Sequence, residues 1–171
     1  MAMATAPVSV MSETDIYAKL ETLGTAYQVL RHKAITTMDE GKEIMTQLQG
    51  CVPANLFLRD KSGVFYLLVK NMGTKIKFSD LEKTIGTTKL SMVKSNVMTD
   101  ILSVPAGCVS VFALENKSAE KVIVLIDDSI DKSSKINFHP LVNSATVTID
   151  YVSMIEFIKS CGNAYLIVGL K

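Results

Sequence analysis

Nowhere in these 171 residues does an apolar run approach the roughly 18 to 20 that a bilayer-spanning helix needs. The first ten residues contain no Lys or Arg, so a secretory leader and an Arg-rich transit peptide are not expected there. Residues 1–12 read as a disordered tail, and residues 13–171 as one domain with a single core. Cysteine is scarce. Cys51, Cys108 and Cys161 stand far apart and form neither a CxxC pair nor zinc-type spacing with His32 and His139, the two histidines of the chain. A reducing, cytoplasmic setting follows as the expectation, with Cys108 a small buried thiol rather than a nucleophile. Glycine-rich phosphate loops are missing, and neither histidine lies near a glycine-flanked serine, so a hydrolytic triad is not available. Adjacent Asp127 and Asp128 would point to opposite faces of a strand and lack a third ligand, so they read as a solvated strand end; no metal and no cofactor is expected.

Charge of one sign is also lacking overall, with 18 basic against 17 acidic side chains. The distribution is uneven. Lys61, Lys70, Lys75, Lys77, Lys83, Lys89 and Lys94 share their segment with two acids, Asp80 and Glu82. Such an excess either holds phosphates by sequence-independent attraction or is a solvated lysine face.

What is present is an irregular mixture of helix and strand signals. Ile16, Leu20 and Leu23 recur at helical spacing before Gly24, predicting a helix over 14–23, and Tyr27 to Leu30 reads as a short strand. Thr37 is a fitting N-cap for a helix over 38–48, with Asp39 and Glu40 in its first turn. Lys61-Ser62-Gly63 predicts a hairpin between strands 55–60 and 64–70. Ser79 and Glu82 have the spacing of a capping box for a short helix ended by Gly86, and another helix is expected over 95–102. Pro105-Ala106-Gly107 predicts a turn before a strand over 110–114. Val122 to Asp127 reads as a central strand, and Ala145 to Ile149 as a strand followed by a helix capped by Asp150. Tyr165 to Val168 closes the chain as a strand. Without regular βα alternation, the expected class is α+β, with a mixed or mostly antiparallel, barrel-like sheet flanked by helices.

Three segments carry a resemblance: Ala54-Asn55-Leu56-Phe57-Leu58-Arg59-Asp60, Pro105 to Leu114, and Phe138-His139-Pro140-Leu141-Val142-Asn143-Ser144-Ala145. Together, and in this order, they resemble the YbaK/ProX family, the editing domain associated with prolyl-tRNA synthetases. That resemblance implies hydrolysis of a mischarged tRNA, above all alanine on proline tRNA. Water would attack the aminoacyl ester with help from a substrate ribose hydroxyl. It implies positioning roles for Gly107, His139 and Asn55 at the reacting centre. Thr37, Ala54, Ala106, Asn143, Ser144 and Ala145 would frame the pocket, although Thr37 also reads simply as a cap. Lys75, Lys77, Lys89 and Lys94 would hold the tRNA acceptor end, and a synthetase or synthetase complex is a further expected partner. Two departures stand out. Relatives carry a lysine where this chain has Ala54, and a proline where it has Val111. Either a nearby lysine (Lys33, Lys70 or Lys89) substitutes, or activity is weakened. The alternative readings are a noncatalytic tRNA-binding or scaffold module, and the excised editing domain of a longer synthetase.

Overall fold

A computed structural model describes residues 9–170. Helix α1 (Glu13–Thr22) starts at Ser12, whose hydroxyl accepts from the Asp15 amide while the Asp15 carboxylate accepts from the Ser12 amide; it buries Ile16 and Leu20. Most of the expected tail of residues 1–12 lies outside the described residues. Met11 does not hang free, because its amide donates to Asn116 Oδ1 at 2.9 Å. Then follow β1 (Gln28–Arg31), α2 (Met38–Met45), β2 (Ala54–Arg59), β3 (Phe65–Lys70), α3 (Phe78–Ile85), β4 (Ser91–Met92) and α4 (Ser95–Leu102). The chain ends with β5 (Ile123–Asp127), β6 (Lys135–Phe138), β7 (Ala145–Asp150), α5 (Tyr151–Ser160) and β8 (Tyr165–Val168).

The strands form two open sheets rather than a closed barrel. One has the order β1-β7-β6 and is antiparallel; the other, β4-β2-β3-β5-β8, is antiparallel through β3 and parallel from β3 to β8. The α+β class stands, with the sheet mixed. Side chains alternate across the larger sheet with period two. Phe57, Leu67, Val69, Val124 and Ile126 enter the main core, while Leu58, Tyr66, Leu68 and Leu125 meet Leu81 of α3 on the other face. The smaller sheet closes the main core with Ile136, Phe138, Val147 and Ile149. At its centre the Phe112 ring stands edge-on to Phe138 and Phe157, with centroids 5.8 and 5.1 Å away. Cys51 joins the sheets: its amide donates to the Lys135 carbonyl at 2.8 Å and its carbonyl accepts from the Asn137 amide at 3.0 Å. Gly50 precedes it at φ +81°, where an added Cβ would lie 2.1 Å from the Lys135 oxygen.

Four local expectations are corrected, and one strand is added. Residues 110–114 are not a strand: Ser110 caps a 3₁₀ helix (Val111–Glu115) in which all four apolar side chains from Val111 to Leu114 are buried, where a strand would alternate between two faces. The Ser79–Glu82 capping box is absent: α3 has Lys77 as its N-cap, two residues earlier, and Glu82 accepts instead from the Leu90 amide at 2.7 Å. Asp150 does not cap α5 with its side chain but pairs with Lys135 at 2.7 Å. Asp127 is 1% exposed rather than solvated, its carboxylate accepting from the amides of Asn71 and Ser129 at 2.9 Å. Lys135–Phe138 is a strand, so the histidine segment is the connection of a hairpin between β6 and β7.

Candidate active site

A cavity of about 570 Å³ opens between α2, the start of β2, residues 92–95, the turn around Gly107, and the β6–β7 hairpin. Its wall is mostly apolar. Met38, Met45, Met72, Met92 and Met98 all reach it, and flexible thioethers adapt to irregular ligands. Helix α2 has no fully buried residue, because its inner face looks into the cavity rather than into packed core. Among the described residues no carboxylate lines the space; its polar side chains are Thr37, Lys42, Asn55, Ser95, Asn137, His139 and Thr146.

Two of the expected segments meet here through a direct bond. The Cys108 amide donates to the Pro105 carbonyl at 3.1 Å, closing a turn with Gly107 at φ +89°. An added Cβ at Gly107 would find nothing within 4 Å, so glycine is set by backbone conformation and its peptide stays open to a ligand. Three residues on, the Ser110 hydroxyl donates to the His139 carbonyl at 2.8 Å and accepts from the Phe112 amide. The glycine turn and the histidine segment are thereby locked side by side.

His139 leaves β6 between buried Phe138 and Pro140, and the bend behind it puts Leu141 at φ +67°. Its Nδ1 lies 2.8 Å from the Ala145 carbonyl. A carbonyl only accepts, so Nδ1 carries the proton and Nε2 is a bare acceptor. Burial lowers the pKa of His139 below its ordinary value, the bond to Ala145 opposes this, and His32 adds to the lowering. The ring is therefore neutral at pH 7.

Asn55 lines the same cavity, and its Oδ1 is buried with no hydrogen-bond partner. Thr37, Ala106 and Gly107 also line it, so five expected site residues come together. Four do not. Ala145 is fully buried in β7 and contributes its carbonyl to His139 rather than a side chain to the wall. Asn143 and Ser144 hold the chain after β1: Asn143 Nδ2 donates to the Ile35 carbonyl at 3.2 Å, and the Ser144 carbonyl accepts from the His32 amide at 3.1 Å. Ala54 lies opposite Lys70 in the β2–β3 register, one residue out of step with Asn55 and Phe57, which face the cavity.

Among the lysines considered as substitutes, Lys70 is 7% exposed and its ammonium donates to the carbonyls of Asn71, Met72 and Thr74 at 2.9, 3.4 and 2.7 Å. Lys33 and Lys89 are exposed and line no part of the cavity. Lys42, one turn into α2, does line it and pairs with exposed Asp39, at 3.2 Å. Lys75, Lys77, Lys89 and Lys94 are all exposed; Lys94 sits between Val93 and Ser95, both of which reach the cavity. Sequence reasoning missed Lys42, Ser110 and Thr146. Lys42 carried a signal, lying four residues after the cavity-facing Met38, but Ser110 and Thr146 had none.

The thiols offer no nucleophile. Burial pushes Cys108 up, and burial with the Glu115 bond and charge pushes Cys161 up to about 12. Burial, with the charge of Asp127, raises Cys51. Among the described residues no cluster of three or more His, Cys, Asp or Glu could hold a metal ion, and no helix is long and apolar enough to cross a membrane.

Known proteins agree with this architecture. The profile of the aminoacyl-tRNA editing domain matches residues 32–157. The prolyl-tRNA editing protein ProX of Acetoanaerobium sticklandii is 32% identical over 156 residues, covering 91% of this chain and 95% of that one. The prolyl-tRNA synthetase associated domain-containing protein 1 of Danio rerio is 25% identical over 168 residues, covering 97% and 90%. Among solved structures, one described as a candidate trans-editing enzyme for prolyl-tRNA synthetase superposes with a TM-score of 0.69 at 15% identity, covering 98% of this chain and 99% of that one. The chain belongs to the aminoacyl-tRNA editing domain family.

Proposed function

We propose that this chain is a trans-acting deacylase that hydrolyses the ester joining alanine to the terminal adenosine of proline tRNA. The observation that carries the reading is the unpartnered Asn55 oxygen in the same cavity as the Gly107 turn and the neutral His139 ring. A buried acceptor left without a donor costs about 1 to 3 kcal/mol, a cost that a ligand's N–H or O–H group would remove. In the proposed reaction water adds to the ester carbonyl, the carbon–oxygen bond to the ribose breaks, and the released ribose oxygen takes a proton. The substrate's free ribose hydroxyl assists, so no protein nucleophile is required. Gly107 orients the reacting centre through its peptide, His139 accepts at Nε2, Asn55 accepts at Oδ1, and Thr37 and Ala106 limit the acyl space. Asn143, Ser144 and Ala145 hold these groups from behind. Lys75, Lys77, Lys89 and Lys94 retain the acceptor arm by phosphate attraction. An editing step of this kind is useful because a site shaped for proline discriminates against a smaller amino acid by only about 1 to 3 kcal/mol.

A noncatalytic tRNA-binding module is the second reading, favoured by Ala54. Its register opposite Lys70, and the presence of Lys42 in the wall, weigh against a crippled site. Alanyl- and prolyl-tRNA deacylation by the chain and by its Ala54→Lys variant separates the two. Selective alanine release by the unaltered chain supports the deacylase; release only from the lysine variant supports the binding module.

A further inference from the structure

The second histidine stands next to the first, with ring centroids 6.1 Å apart. His32 Nδ1 lies 2.8 Å from the Lys33 carbonyl, so this nitrogen too carries a proton, and the Nδ1–H tautomer leaves Nε2 a bare acceptor. That Nε2 lies 2.9 Å from Thr146 Oγ1, which turns the hydroxyl proton of Thr146 toward His32. Thr146 is 4% exposed and lines the cavity, so its oxygen offers the ligand lone pairs rather than a proton. Consecutive residues of β7 are thus paired with the two rings: the Ala145 carbonyl orients His139, and His32 orients the Thr146 hydroxyl. His139 Nε2 and Thr146 Oγ1 thus join Asn55 Oδ1 as acceptors in the wall, and among the described residues no carboxylate lines it.

We propose that His32 is a positioning residue that acts through Thr146, holding this hydroxyl as an acceptor beside His139 Nε2 and so forming a subsite for the α-ammonium group of an aminoacyl ester. An ammonium brings three N–H donors and can satisfy both acceptors, where a hydroxyl brings one. The ligand assignment rests on the deacylase reading; the hydrogen-bond assignment does not.

Two measurements test it. Nitrogen-15 spectra of the histidine rings in the intact chain, at a pH where both are neutral, should show His32 as the Nδ1–H tautomer; an Nε2–H tautomer or an averaged pair overturns the relay. For alanyl-tRNA deacylation, His32→Ala and Thr146→Val should each lower kcat/KM about tenfold, the size of one hydrogen bond, and the double variant should be no worse than either. Thr146→Ser, which restores the hydroxyl, should recover most of what Thr146→Val loses, and N-acetylation of the alanyl group should abolish the difference between the chain and its His32→Ala variant. Additive losses, or an undiminished His32 effect on the N-acetyl substrate, overturn the inference. A chain that deacylates no aminoacyl-tRNA defeats the deacylase reading and the ammonium subsite with it, while the ring spectra still decide the His32–Thr146 bond.

Discussion

Replacing Asn55 by leucine separates what the fold needs from what the ligand needs. The Oδ1 atom of Asn55 is buried and has no hydrogen-bond partner among the described residues. Leucine is of similar size and removes the orphaned acceptor, whose desolvation costs about 1 to 3 kcal/mol. Allowing for imperfect repacking, the variant should gain about 1 kcal/mol, a rise in Tm of about 2 to 4 °C for a domain of this length. The deacylation rate should move the other way. Losing a hydrogen bond to a charged or strongly polar substrate group is worth about 1.5 to 3 kcal/mol, or a fall in kcat/KM of about 10- to 150-fold. Thermal melting and initial rates of alanine release on one preparation measure both. A destabilised Asn55→Leu variant with an unchanged rate would refute the reasoning, because the amide would then serve the fold and not the substrate.

Burial of His139 predicts an acid limb in kcat/KM: the neutral ring prevails at pH 7 and is lost as pH falls through a pKa below the ordinary 6.5. A rate profile with its acid limb at or above that value contradicts the assignment. Two glycines should respond in opposite measure. Gly107→Ala meets no neighbour within 4 Å and should cost only the left-handed backbone penalty of about 1 to 2 kcal/mol, whereas at Gly50 the new Cβ would lie 2.1 Å from a backbone oxygen and the melt should show a larger loss. Equal losses would show that the Cys51 junction yields easily. Replacing Lys77 and Lys94 together by alanine should reduce the slope of log affinity for tRNA against log salt by about 1.5, while exposed Lys159 on α5 should leave it unchanged. Identical slopes for all three would remove the lysine segment from the tRNA interface.

Much of the fold was legible because burial writes a period into a strand. The hairpin around Gly63, the apolar β5, and the Thr37 cap of α2 each follow from residues within a few positions of one another. Errors arose where a local signal competed with distant partners. Val111 to Leu114 has strand composition, yet the run is buried on all sides and coils; Ser79 and Glu82 have capping-box spacing, yet Glu82 is drawn to the Leu90 amide eight residues on. Asp127 looked solvated because its donors, Asn71 and Ser129, lie on separate loops. The site divides in the same way. Gly107 and His139 could be singled out by their motifs, but the Ser110 hydroxyl that ties them together spans 29 positions, and the His32 bond to Thr146 spans 114. Ala54 and Ala145 also sit in segments that carry the resemblance, and only strand register reveals which of their neighbours face the cavity.

The central claim is tested most directly by single-turnover hydrolysis of alanyl and prolyl esters carried on the same proline tRNA. The proposed function predicts rapid release of alanine and slow release of proline, with the alanine rate suppressed in Asn55→Leu. Equal release of both, or alanine release untouched by the Asn55 change, would contradict it.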